Sequence, residues 1–346
     1  MSRLLPQPED WTEPGAHPVV PGVHRVPLPL PMEGLTTVNA YVLEGRDGLV
    51  LIDPGWASPE TERAMAAALR QLGHRISDIR LCLATHHHWD HYTQAYQWRD
   101  ELGSRLLLGW EERHSIESYF ASTSRFPNHA EWLVRCGAGE LAERIRELDF
   151  QSEREADMPY GLPDGWLYDG DTIELAEGTL HAVYTPGHTR GHVVFRHADA
   201  GVLFSGDHIL PHITPSLGFE WAPEKRPLRS FLRSLKLTLA QPDALLLPAH
   251  GPVTESSHRR AAELLDHHRE RLDVVLNELR AGARTAYDVA RAMPWTRKGR
   301  RLEELAAEHQ MSAVVEVDAH LDVLTLLGRV KVDDREPTRR YLPVSA

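Results

Sequence analysis

Cysteine is almost missing from this chain, with only Cys82 and Cys136 among 346 residues. Two thiols so far apart make no disulfide framework. Cys82 lies in the apolar run Leu81-Cys82-Leu83-Ala84, and free cysteine is among the most buried residue types. Both therefore read as inert core thiols of a reducing, cytoplasmic protein. Nowhere do about 18 apolar residues follow one another, which excludes a membrane-spanning helix. The first ten residues meet proline and acid before any apolar stretch forms, unlike a secretory signal. Internal repeats and low-complexity tracts are also missing. Positive charge is short: 38 Lys and Arg face 50 Asp and Glu, a net of −12. Sixteen of each sign lie from Glu255 onward, so the whole acidic excess falls in residues 1–254. That part is not built to grip a phosphate backbone, which requires clustered Lys and Arg.

Histidine, by contrast, is plentiful, with 21 residues. Seven candidate metal ligands, His86, His88, Asp90, His91, His188, Asp207 and His250, stand in four short clusters: Thr85-His86-His87-His88-Trp89-Asp90-His91, Pro186-Gly187-His188-Thr189, Ser205-Gly206-Asp207-His208 and Pro248-Ala249-His250-Gly251-Pro252. Each cluster follows a short apolar run, which places it in a loop beyond the end of a buried strand. Neutral imidazole and carboxylate suit zinc, iron or manganese. In an extended segment, side chains at i and i+2 point the same way. His86 and His88 can thus reach one metal while His87 points elsewhere. After the chain turns, Asp90 and His91 can face a second metal. Seven ligands suffice for two metals sharing a water, the equipment of a dinuclear metallohydrolase.

A length of 346 residues exceeds one ordinary core. Residues 1–20 read as an irregular leader and 21–254 as a catalytic domain. Within the latter, 109–164 form a helical insert over the site, and 255–346 make a smaller module. Strands are expected at 23–26, 37–43, 49–52, 79–84, 172–184, 193–196, 202–205 and 244–247. Helices are expected at 59–72, where Ser58 is the N-cap and Gly73 the stop, and at 228–239. A 56-residue structureless insert would be anomalous, so helices near 111–120 and 131–148 are expected there. The insert carries Tyr119, Arg125, Phe126, Asn128, His129 and Trp132, which either pack a small core of its own or line the substrate pocket. From Glu255 the order is a long helix to Ala281, a short helix capped by Thr285, a helix at 312–327 and two strands at 330–332 and 340–343. That order is the outline of a winged helix.

The clusters at 86–91, with His188, Asp207 and His250, resemble the metallo-β-lactamase superfamily across roughly residues 20–255. The resemblance implies an α+β fold, the αββα sandwich. It puts His86, His88 and His188 on one metal, Asp90, His91 and His250 on a second, and Asp207 on both. Asp53 matches an aspartate that supports the metals through hydrogen bonds. Where the family often has glycine after its first motif, Gln94 and Ala95 stand here, which concerns only the packing of the following helix. The tail resembles that of a branch holding glyoxalase II-like and acyl-thioesterase-like hydrolases and a single-strand endoribonuclease.

The expected reaction is attack by a metal-bridging hydroxide on a thioester, ester or lactone. Two divalent ions serve as cofactors, zinc first, with iron or manganese as alternatives. Asp90 and Asp207 orient the nucleophile, and His212 is the candidate proton donor, ahead of His208. The expected partner is a small acyl substrate, without nucleic acid or membrane; a homodimer is compatible with the chain. Phosphodiester or RNA cleavage, β-lactam hydrolysis, an iron-dependent oxidative role and a DNA-binding regulator are the competing readings. His87 reads as a structural group, His267 and His268 as a solvated face or domain contact. The run Arg297-Lys298-Gly299-Arg300-Arg301 reads as solvated surface.

Overall fold

A computed structural model describes residues 4–32, 35–122, 124, 126–148, 158–296 and 299–344. Arg125, Arg297 and Lys298 of the sequence reading lie outside these residues.

Two sheets form the centre. Strands β1 (His17–Val20), β2 (Val23–Pro29), β3 (Thr37–Glu44), β4 (Leu49–Ile52), β5 (Ile79–Leu83), β6 (Arg105–Gly109) and β7 (Gly165–Leu167) lie side by side in chain order. Pairing is antiparallel as far as β4 and parallel from there to β7. The second sheet has the order β12 (Leu245–Pro248), β11 (Val202–Gly206), β10 (Val193–His197), β9 (Thr179–Tyr184) and β8 (Thr172–Glu174).

Alternation along each strand explains the layering. Tyr41, Leu43, Val50 and Ile52 point inward and meet Leu180, Ala182, Phe195, Phe204 and Leu247 of the facing sheet. Their neighbours Ala40, Val42, Leu49 and Leu51 point outward. There they meet Met65, Ala68 and Leu69 of α1 (Pro59–Gln71) and Tyr92, Ala95 and Trp98 of α2 (Trp89–Leu102). On the far side α6 (Pro227–Ala240) covers the second sheet, with Leu228, Phe231 and Leu235 in one cluster with Leu246. The result is the expected helix–sheet–sheet–helix sandwich. Ser58 does accept a hydrogen bond from the Thr61 backbone N–H, capping α1.

The structure differs from the sequence reading at four places. The leader contains β1, because Val19 and Val20 extend the sheet edge. Strands β6 and β7 bracket the insert. The helix expected near 111–120 is α3 (Arg113–Ala121), whereas the one expected at 131–148 is two helices, α4 (His129–Arg135) and α5 (Gly139–Glu147). Between them Gly137 adopts φ 84°, and a Cβ there would sit 3.0 Å from the Thr285 side chain. The helix expected at 312–327 begins five residues earlier, since Ala307 and Met311 are buried.

The insert and the C-terminal segment share one core. Leu133, Leu141 and Ile145 of the insert cluster with residues of α7 (Ser257–Ala281), α8 (Ala286–Ala292) and α9 (Ala307–Leu326). Trp132 Nε1–H donates to Asp318 at 2.8 Å, and the Tyr287 N–H donates to the Cys136 carbonyl. Trp132 and Phe126 therefore belong to a shared core, not to one of the insert's own. The last two strands, β13 (Val330–Asp333) and β14 (Arg340–Pro343), form an antiparallel pair.

Candidate metal centre

The four clusters sit where β5, β9, β11 and β12 end, along one rim of the sandwich. After β5 the chain bends through residues 85–88, and His88, the N-cap of α2, has φ −60° and ψ 148°. Asp90 and His91 then fall in the first turn of that helix. The turn that separates the two ligand pairs is thus a helix start, where an acid is electrostatically favoured.

Two sets of donor atoms converge. His86 Nε2 lies 3.0 Å from His88 Nδ1, which lies 3.2 Å from His188 Nε2. Ligand nitrogens about 2.0–2.1 Å from a tetrahedral ion stand roughly 3.3 Å apart, so this trio has the spacing of a cation site. In the second set Asp90 Oδ2 lies 3.4 Å from His91 Nε2 and 3.3 Å from His250 Nε2. Asp207 spans both. Its Oδ2 is 3.5 Å from His188 Nε2, and its Oδ1 is 3.8 Å from His91 Nε2 and 3.5 Å from His250 Nε2. His91 Nε2, His250 Nε2 and Asp207 Oδ1 are buried without a hydrogen-bond partner. Such orphaned atoms are costly in an interior, and a cation among them would satisfy all three. The donor set therefore fits divalent metal.

The opposite ring nitrogens are held so that the inner ones stay free to ligate. His86 Nδ1 is 3.0 Å from Thr85 Oγ1, His188 Nδ1 is 2.7 Å from the Ser216 carbonyl, and His250 Nδ1 is 2.9 Å from the Thr37 carbonyl. Asp53 lies 3.1 Å from His91 Nδ1 and accepts from both the backbone N–H and the hydroxyl of Thr85. It does so from φ 50°, the one left-handed non-glycine residue among those described. Gln94 closes the same corner: its N–H donates to the Gly55 carbonyl, and its side-chain oxygen accepts from the Ser58 N–H.

Burial, then neighbouring imidazoles, hold His86 and His88 well below the usual histidine range, and burial also lowers His188. These three stay neutral, as ligation requires. Burial opposes charge on His91 too, but Asp90, Asp53 and Asp207 outweigh it and lift that histidine well above the usual range. Asp90 is driven the other way: burial would raise it, yet His91 and His250 hold it well down. The two sets thus differ in charge before any ion binds.

The remaining candidates separate clearly. His212 is exposed at the rim, with its ring carbon 3.9 Å from where a Cβ on Gly251 would stand. His208 does not line the opening. It is wholly buried against Phe231, 3.3 Å from Thr238 Oγ1, and burial pushes it down to about 3. His268 is also buried, 3.2 Å from His320, so it is no solvated face. Cys82 and Cys136 are free and buried. Arg300 and Arg301 are exposed.

Sequence reasoning passed over four neighbours. His192 stacks on His86 at 5.1 Å, and its Nε2 accepts from the Asp207 N–H at 3.2 Å. Trp221 lies flat against Tyr119 at 4.8 Å and edge-on to Tyr160 at 5.6 Å, with Trp89 6.2 Å away. Glu112 and Glu220 approach His87. Of these only His192 carried a signal, its spacing of four from His188.

A family model described as the metallo-beta-lactamase superfamily matches residues 34–250. Among curated relatives, a probable metallo-hydrolase of Bacillus subtilis is 25% identical, over 87% of this chain and 90% of that protein. The crystal structure of a metallo-beta-lactamase family protein from Thermus thermophilus superposes with a TM-score of 0.73 at 28% identity, covering 94% of this chain and 99% of that one. A beta-lactamase domain protein from Burkholderia ambifaria does so with a TM-score of 0.73 at 25% identity, over 95% of each chain.

Proposed function

The chain belongs to the metallo-β-lactamase superfamily, a hydrolase family, and from that premise we propose a two-metal enzyme that cleaves acyl thioesters, esters or lactones. His86, His88 and His188 hold the first ion, Asp90, His91 and His250 the second, and Asp207 touches both; zinc is the first choice of metal. Two such ions would acidify a water and polarise the carbonyl under attack. Asp207 and Asp90 fix the direction of that water, Asp207 being itself steered by His192. His212, at the exposed rim, gives a proton to the leaving group.

The observation that carries the acyl reading is the aromatic wall beside the first motif. Trp89, Trp221 and Tyr119 are each partly exposed there, and Phe120 is 60% exposed. Such a surface binds an apolar acyl group rather than a charged backbone. Arg113 of the insert and Arg190 of the β9–β10 connection both pair with Glu111. On this reading the chain is grouped with the glyoxalase II-like and acyl-thioesterase-like branch, its C-terminal segment serving as a winged-helix-like module.

The test is a panel of acyl thioesters, lactones, a β-lactam, a phosphodiester and single-stranded RNA, run on the zinc-loaded protein. Turnover of a thioester, ester or lactone, lost in His86→Ala and Asp207→Ala variants with unchanged circular dichroism, is the expected result. Turnover confined to the phosphodiester or RNA overturns the acyl reading. Full activity in folded, metal-free Asp207→Ala overturns the metal mechanism.

A further inference from the structure

His87 stands between two candidate ligands in sequence yet faces away from them, toward Glu112 and Glu220. It enters a chamber closed by Glu112, from the 3-10 turn Trp110–Glu112, and by Glu220, from the segment before α6. His87 and Glu112 are fully buried, and Glu220 is 3% exposed. His87 Nε2 is 3.4 Å from Glu220 Oε1 and 3.7 Å from Glu112 Oε2, and three ligand atoms of these residues lie within 4.8 Å of one another.

The outer atoms are tethered. The hydroxyl of Thr189 donates to Glu112 Oε1 and the Arg190 N–H to Glu220 Oε2 at 2.6 Å; Glu220 Oε1, which faces His87, accepts from the Ser115 hydroxyl and keeps a second lone pair. The Tyr160 hydroxyl lies 3.2 Å from His87 Nδ1. Two of the three inner atoms, His87 Nε2 and Glu112 Oε2, have no hydrogen-bond partner. Separations of 3.4 and 3.7 Å exceed the ~2.8 Å of a charged hydrogen bond. They match two ligands of one ion about 2.1 Å away. Burial raises Glu112 above the usual carboxylate range, and an ion would supply the positive charge that keeps both carboxylates ionised.

We propose that His87, Glu112 and Glu220 form a third cation site, separate from the hydrolytic pair, that takes a divalent transition ion such as zinc or manganese through one nitrogen and two carboxylates. The ion would tie the insert and the 220 segment to the first ligand motif. It is a structural site, with no opening for substrate.

Anomalous diffraction at the zinc edge, on crystals of the full chain soaked in zinc, tests this directly. A peak between His87 Nε2, Glu112 Oε2 and Glu220 Oε1 is expected. Its absence at full zinc saturation overturns the proposal, whether or not the hydrolytic pair is filled. Elemental analysis gives the independent count. Glu112→Gln and Glu220→Gln should each carry one ion fewer than the unaltered chain, while His86→Ala keeps this ion. Equal counts in the unaltered chain and in both folded glutamine variants also overturn it. An empty hydrolytic pair beside a filled third site would instead refute the proposed function and leave this inference standing.

Discussion

Asp53 concentrates several demands on one side chain. It holds φ 50° at the end of β4, receives two hydrogen bonds from Thr85 and supports His91 Nδ1. Asparagine tolerates the left-handed conformation almost as well as aspartate, so Asp53→Asn should keep the backbone. It removes the charge that supports His91. Loss of such a supporting partner typically weakens metal binding about 10–100-fold. Competition with a fluorescent chelator should show that loss for one of the two proposed hydrolytic ions, with the melting curve of the metal-free protein little changed. Unaltered affinity for both ions would show that Asp53 only shapes the turn.

Among the elements, the β9–β10 connection positions a ligand through glycine. Gly187 has φ 144°, and a Cβ there would stand 2.5 Å from the Phe231 Cα on α6. Neither backbone can give way cheaply, because Phe231 is wholly buried in the shared core. Gly187→Ala should therefore cost about 2–4 kcal/mol in urea unfolding, through backbone strain and overpacking. It should also push His188 out of reach of His86 and His88. Cobalt bound to the variant would then lose the absorption of one of the two hydrolytic ions. A variant as stable as the parent, with both ions retained, would contradict this close-packing argument.

At the scale of the whole molecule, the second-sheet helix, the insert and the C-terminal helices meet around buried histidines. His268 on α7 packs against Phe231 and His320. Burial first, then nearby positive groups, pushes His268 down to about 2, and burial pushes His320 down to about 4. Their usual value is 6.5, so between about pH 6.5 and 4 the unfolded chain binds protons that the folded chain refuses. Their contribution is complete above pH 6.5 and shrinks as the pH falls. At pH 5 each buried imidazole should have lost roughly 2 kcal/mol. His268 Nε2 has no partner, so His268→Leu should fold and flatten this slope. Urea titrations of both proteins at pH 7.5 and 5 measure the difference; parallel slopes would show that His268 is not the group responsible.

The candidate ligands were readable in the residues themselves, because metal chemistry demands particular atoms, and the fold brings those side chains together. The sandwich was legible too, since buried strands leave apolar runs and Ser58, Thr285 and Gly282 punctuate helices locally. The break at Gly137, the union of the insert with the tail, and the meeting of His87 with Glu112 and Glu220 were not. Each depends on residues tens to more than a hundred positions apart, such as Gly137 with Thr285 or His87 with Glu220. Local pattern records what a residue can do; only the folded chain decides which distant partner it does it with, because packing and burial are properties of neighbours in space.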